Sequence, residues 1–281
     1  MNTAMNYADD PGAIASAERI KQRAPEADPL GVLPDVHPDR IPRHIAVIMD
    51  GNGRWAQQRG FERIFGHQNG AAAVREIIGA VRDLGVEVLT LYSFSTENWK
   101  RPAAEISALM ELCATYCAAH SDSLLEHGVR FRVIGKREEL PDMVIEAIDA
   151  LEARTAHCTV CTLCLALNYG SRGEITGAVR SIAERVKNGE LEPDQIDENL
   201  ISDSLDTAGL PDPDLLIRTA GEMRVSNYLL WQISYAELYV TDTLWPDFGA
   251  EGLHDAIRAF ASRSRRFGGL EHAPADEEPV G

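Results

Sequence analysis

Apolar positions along the chain alternate between two spacings, and the alternation runs from about residue 41 to about residue 269. Short, mainly apolar runs at 44–49, 86–94, 129–134 and 159–167 have the length of strands. Between them, apolar residues recur three and four apart. Val74, Ile77, Ile78 and Val81 mark a helix that stops near Gly85, residues 103–126 read as a long helix, and Met143, Val144, Ala147, Ile148 and Leu151 mark a third. Ile175, Ala178, Val179, Ile182 and Val186 mark a fourth. After a polar connection come short strands at 214–219 and 238–241 and a last helix over 252–265. This succession predicts a single α/β domain with a mostly parallel central β-sheet and helices on both faces. Residues 1–40 show no sustained period, and 270–281 is acidic and contains proline, so both are expected to be weakly ordered extensions of a 41–269 domain.

Composition narrows the partners. The chain of 281 residues carries 27 Lys+Arg against 44 Asp+Glu, a formal charge of −17, which repels nucleic-acid backbones and leaves any phosphate site to a local arginine cluster. Five cysteines, an odd number, sit in apolar segments, which fits a reducing cytoplasm better than a disulfide framework. No apolar stretch is long enough for a membrane span.

The chemistry gathers where predicted strands end. "MDGNGRW" at 49–55 puts Asp50, Gly51, Asn52, Gly53, Arg54 and Trp55 after the first strand. The glycines allow close approach of an anion to backbone N–H groups, and Arg54 adds a charged fork. Asp50 would repel a bare diphosphate, so its presence suits a divalent cation, normally Mg²⁺, bridging carboxylate and phosphate. The loop alone equally suits a turn capped by Asp50. A second cluster, "IRTAGEMRVSNYLLW" at 217–231, brings Arg218, Arg224, Ser226 and Asn227 near another strand end, as a second diphosphate site or as a surface ion-pair group with Glu222 and Glu237. Glu237 is also a candidate second carboxylate for the cation. His67 follows Gly66 at a helix start and is a candidate phosphate donor or a simple helix residue. Cys158, Cys161 and Cys164 copy metal-ligand spacing, but strand alternation points Cys161 away from the other two and no fourth ligand follows.

"HIAVIMDGNGRWA", "GHQNGA", "LTLYSFSTENWKRP", "LNYGSRGEI", "DLLIRTAGEMRVSNYLLWQISYAELYVTD" and "WPDF", in this order, resemble the cis-prenyltransferases, the Z-type isoprenyl diphosphate synthases, over about 41–269. The resemblance implies a homodimeric, Mg²⁺-dependent enzyme that adds isopentenyl diphosphate units in cis to an allylic diphosphate, commonly farnesyl diphosphate, and holds the product in an apolar tunnel. It implies that Asp50 helps hold the cation with Glu237, and that the allylic diphosphate meets Gly51, Asn52, Gly53, Arg54, Trp55, Arg63 and His67. It places isopentenyl diphosphate on Arg218, Arg224, Val225 and Ser226 with Arg101 nearby, under a loop of Ser95, Thr96, Glu97, Asn98 and Trp99. The family's pattern gives proton removal to Asn98; a neutral amide is a feeble base, so orienting the proton toward released diphosphate or water is the better role.

The chain departs from the family where Ala220 stands for Gly or Ser, Met223 for a polar residue, and Ser171 and Gly173 for Gly and Ala or Trp, none of which touches the principal charged residues. Small residues Ala114, Cys117, Ala118 and Ala119 on the long helix imply a roomy tunnel and a long lipid-carrier product for cell-wall synthesis, with Phe131 as a candidate floor. Release of so apolar a product implies peripheral contact with the inner face of a membrane. Arg266, in "RRFGG", resembles an element that reaches the partner subunit's site. The competing readings are a short-chain relative and a non-catalytic prenyltransferase subunit; retention of Asp50 and Arg54 argues against the second.

Overall fold

The computed structural model describes residues 6–263. Six strands, β1 (His44–Ile48), β2 (Val88–Ser95), β3 (Val129–Ile134), β4 (Cys161–Tyr169), β5 (Leu215–Arg218) and β6 (Glu237–Val240), form one sheet in the order β3-β4-β2-β1-β5-β6, and every pair is parallel. All five residues of β1 are buried because both faces are covered. Ile45 and Val47 point into one core and Ala46 and Ile48 into the other, as a period of two requires.

Nine α-helices stand among the described residues: α1 (Pro11–Arg23), α2 (Pro29–Val32), α3 (Asn52–Gln58), α4 (Arg63–Asp83), α5 (Ala103–Glu126), α6 (Asp142–Thr155), α7 (Ser171–Lys187), α8 (Glu198–Asp203) and α9 (Gly249–Ala261). Helices α4, α5, α6 and α9 supply the larger core, built on Ile77, Val81, Met110, Cys117, Ile148 and Ile257 against the odd face of β1. On the other face Tyr228 and Leu229 from the connection after β5 pack with Tyr92, Tyr169 and Ala46, and the Tyr92 and Tyr228 rings stack at 4.3 Å.

The N-terminal segment departs from expectation. Helix α1 is capped by Asp10, whose Oδ1 accepts from Ala13 N at 2.8 Å, and it buries Ala13 and Ala17; Leu33 and Val36 beyond it enter the main core. Arg23 donates to the Gly85 and Val160 carbonyls at the N-terminal end of the sheet. Its buried face is largely alanine, which carries little apolar contrast, so the helical period is faint in the sequence. The last helix begins at Gly249, three residues before the expected 252, and ends at Ala261, capped by Ser262, four residues short of the expected 265.

His44 is buried at the sheet's base. Nδ1 lies 2.6 Å from the Pro211 carbonyl, which can only accept, so Nδ1 carries the proton and Nε2 accepts from the Thr90 hydroxyl at 2.7 Å. Burial lowers its pKa to about 4 from 6.5. The unfolded chain therefore binds the extra proton first, and stability that is complete above about pH 6.5 falls as pH drops toward about 4. His67 shifts in the same direction. Thermal denaturation at about pH 7 and about pH 5 should show a larger loss in the wild type than in His44→Gln, by up to about 2 kcal/mol; equal losses would remove His44 as the cause.

Candidate active site

Strand order fixes where a ligand can sit. The chain leaves β1 toward β2 on one side and β5 toward β6 on the other, so a crevice opens at the carboxyl ends of β1 and β5. Ile48 is in register with Arg218, which brings Asp50, two residues past β1, against the last residue of β5. Arg218 is nearly buried; its Nη2 donates to Asp50 Oδ2 at 2.9 Å, and its Nη1 donates to Ser226 Oγ at 2.7 Å and to the Arg224 carbonyl. Asp50 Oδ1 accepts from Gly51 N at 2.7 Å and lies 3.5 Å from Arg54. The Nε of Arg218 is buried without a partner.

Glycine at 51 is a backbone and packing requirement, and glycine at 53 leaves room for the Arg63 side chain. Gly51 has φ 104°, and a Cβ there would lie 2.8 Å from Leu244 Cδ2. A Cβ on Gly53 would fall 2.4 Å from the Arg63 guanidinium, which therefore lies directly over this residue. Ala220, at φ 71°, occupies a left-handed position that costs a residue with a Cβ roughly 1–2 kcal/mol. Its N–H donates to Thr243 O at 2.9 Å, which helps hold the turn after β5. Met223 is 88% exposed, so the polar contact absent there faces solvent.

Around the Asp50–Arg218 pair opens a polar pocket bordered by Asn52, His67, Ser95, Glu97, Asn98, Arg101, Arg224 and Ser226. Asn98 Oδ1 accepts from Ser95 N at 3.1 Å. A backbone N–H can only donate, so the outward group of Asn98 is its NH₂, which can donate to a ligand and cannot take a proton. Glu97 accepts from Asn227 Nδ2 at 3.1 Å, tying this loop to the segment after β5. Trp99 is an anchor: its Nε1 donates to Asn168 Oδ1 at 2.7 Å and its ring meets Phe94 edge-on. Trp55 donates to Asp247 Oδ1 at 2.6 Å under the Arg59 guanidinium. Thr96 packs beside Gly170, and Val225 packs against the second core; contrary to expectation, Trp55, Thr96, Trp99 and Val225 do not border the pocket.

One residue at this site gave no signal in the sequence. Glu105, in the first turn of α5, reads as an ordinary helix-start acid. Here its carboxylate meets Arg63 at 3.3 Å, Arg101 at 3.2 Å and His67 at 3.7 Å. Burial raises its pKa, but the hydrogen bond from Arg63 and the charges of Arg63 and Arg101 prevail and hold it below the usual range. Burial, then the charges of Arg101 and Arg63, lowers His67 to about 4, so it is a neutral donor near pH 7.

Glu237 is not brought to Asp50. It pairs in register with Leu215, three residues from the Arg218 end of the sheet and two strands from β1, and its carboxylate binds Arg263 at 2.8 Å. Parallel pairing therefore puts it at the opposite end of β6, and within one chain the two carboxylates share no site. Arg266 lies outside the described residues. Cys161 and Cys164 point into opposite cores, and Cys158 precedes the strand.

Below the polar pocket lies an apolar cavity between α4, α5 and the sheet. Met49, Asn52, His67 and Ser93 border both, so the two spaces meet. Ser93 follows Leu91 on the cavity side of β2, and a register shift after Tyr92 brings Phe94 to the same side. Phe131 and Leu163, neighbours in register, line the cavity, whereas the next inward-facing pair toward the strand starts, Val129 and Cys161, does not, so Phe131 stands at its deep end. Cys117 lines the wall, but Ala118 and Ala119 are exposed: helical rotation carries them to the outer face of α5.

The comparisons agree with this geometry. The family model of undecaprenyl diphosphate synthases matches residues 48–268. An isoprenyl transferase of Heliobacterium mobile is 48% identical over 250 residues, covering 89% of this chain and 96% of that protein. The farnesyl-diphosphate-specific ditrans,polycis-undecaprenyl-diphosphate synthase of Escherichia coli K12 is 51% identical over 235 residues, covering 84% and 92%. Among solved structures, lavandulyl diphosphate synthase from Lavandula x intermedia, in complex with dimethylallyl diphosphate, superposes with a TM-score of 0.80 at 37% identity over 82% of this chain and 99% of that one. A parallel sheet whose switch point joins an Asp–Arg pair to an apolar cavity, with identity of about one half across the chain, places it in a known group: the chain belongs to the undecaprenyl diphosphate synthase family of cis-prenyltransferases.

Proposed function

We propose that the chain elongates an allylic diphosphate, farnesyl diphosphate first, with successive isopentenyl diphosphate units to a long cis-polyprenyl diphosphate of the kind that carries cell-wall precursors. The observation that supports this most is the direct opening of the Asp50–Arg218 pocket into the apolar cavity, which gives one molecule a place for both its charged head and its growing tail.

The donors present fit Mg²⁺: it is held by one or two carboxylates plus substrate phosphates, and Asp50 offers one at the crevice, whose described lining contains no thiolate. Bound there, Mg²⁺ would neutralise charge on the departing diphosphate. The allylic diphosphate would lie on the Gly51–Arg54 turn, Arg63 and His67, displacing Glu105 from Arg63 and Arg101. Arg218, Arg224 and Ser226 would orient isopentenyl diphosphate. The allylic C–O bond breaks with its electron pair leaving on diphosphate, the isopentenyl double bond forms the new C–C bond, and the proton lost passes to a diphosphate oxygen. The Asn98 NH₂ would position that oxygen, and the Ser95–Arg101 loop would exclude water from the cationic centre.

Product length follows from the cavity's end. Phe131→Ala should lengthen the extracted polyprenyl products with little change in initial rate, and Phe131→Leu, less disruptive to packing, should move them in the same direction. Unchanged lengths in both would remove Phe131 as the floor. A short-chain enzyme is the second reading, favoured by the structural likeness to lavandulyl diphosphate synthase; the wild-type product distribution separates the two.

A homodimer fits the edge strand, where Leu238 and Val240 are 51% and 36% exposed and β6 pairs on one side only. Among the described residues no helix is long and apolar enough to cross a membrane. The reading is of a cytoplasmic enzyme that meets the membrane surface to release its product, supported by five unpaired cysteines.

A further inference from the structure

Two thiols face the apolar cavity from one helix, and nothing in the chemistry above uses them. Cys113 and Cys117 stand four residues apart on α5 and line the same wall, with Tyr116 between them. Cys158, Cys161 and Cys164 lie outside this cavity. The two thiols influence each other's titration: the neighbouring thiol pushes Cys113 well above its usual range and holds Cys117 below it. The Tyr116 hydroxyl, on the same stretch, is buried without a partner.

This pair is poorly placed for oxidation to a disulfide. Helical spacing of four residues sets the Cβ atoms about 5–6 Å apart, whereas a disulfide needs about 3.8 Å. One soft atom bonded to both sulfurs spans that gap without disturbing the helix, and thiolates select soft centres. The apolar lining excludes a hydrated ion, so the soft atom must arrive on a neutral, apolar group through the junction at Ser93.

The geometry points to Cys113 and Cys117 as a bidentate dithiol site for neutral organic trivalent arsenicals, set in the cavity wall between the diphosphate pocket and Phe131. The balance is simple: the arsenic–oxygen bond of an arsenoxide breaks, two arsenic–sulfur bonds form, and both thiol protons leave with the oxygen as water, without change of oxidation state. On the function proposed above, the adduct stands in the path of the growing chain and truncates the product.

The test uses the full chain and phenylarsine oxide, read by intact mass. The wild type should take up one equivalent with loss of one water, reversed by 2,3-dimercaptopropanol and resistant to β-mercaptoethanol. Cys113→Ser and Cys117→Ser should each weaken capture by about 10² or more, since the second bond is lost, while Cys158→Ser should capture like the wild type. Capture retained in both cavity variants, or lost in Cys158→Ser, would overturn the site. Circular dichroism on the variants separates lost capture from misfolding. Mass reads the site whatever reaction the chain performs; an adduct with unchanged product length would overturn truncation alone.

Discussion

Asp50→Asn should fold, bind substrates and turn over about 10²–10³ times more slowly, because the change removes the carboxylate that would hold the cation neutralising the departing diphosphate. The amide oxygen can still accept from Gly51 N, so the turn with φ 104° keeps its hydrogen bond. What is lost is a carboxylate for the cation and the counter-charge of the nearly buried Arg218, 2.9 Å away. Arg218 retains Ser226 and the Arg224 carbonyl, and Asp50 is partly exposed, so the stability cost should stay near 1–2 kcal/mol, well short of that for an orphaned buried charge. Steady-state kinetics with thermal denaturation decides it: kcat within about tenfold of wild type would remove Asp50 from the chemistry.

Arg218→Lys should be nearly as damaging although the charge is kept. The guanidinium reaches Asp50 with one terminal nitrogen and Ser226 with the other, and a single ammonium cannot hold both directions. A loss of about 100-fold in kcat/KM is expected, with KM for isopentenyl diphosphate rising and Ser226 losing its donor. Arg224 provides the control: its side chain is 61% exposed and pairs with Glu222 at the surface. Arg224→Lys should therefore cost less than about tenfold. Equal losses in the two variants would mean that charge alone, not the fork, holds the substrate.

Much of this site is legible in the sequence because sheet topology maps sequence onto space. A strand followed by "DGNGR" and another ending in "IRTAG" must present both ends on one edge if the sheet is parallel, and β1 and β5 are adjacent. The 103–126 helix is found at its expected bounds, since Pro102 precedes its first turn and Gly128 follows its last. Register is harder to read. Glu237 stands close to Arg224 in sequence, but the segment between them crosses the second face and re-enters the sheet from its base, so the strand carries Glu237 away from the crevice. Glu105 is invisible for another reason: its partners come from α4 and from the loop before α5, contacts that no local pattern encodes. The alanine face of α1 was hidden by composition, and Ala118 and Ala119 show that small size does not decide which way a helix turns a residue.

The most direct test is incubation of the purified chain with labelled isopentenyl diphosphate and farnesyl diphosphate, with Mg²⁺ or with EDTA, followed by chain-length analysis of the extracted lipid. The Asp50–Arg218 crevice and the cavity beneath it predict Mg²⁺-dependent long cis-polyprenyl products, abolished by EDTA. Folded protein that yields no product with farnesyl diphosphate or shorter allylic starters, or yields it equally in EDTA, would contradict that assignment.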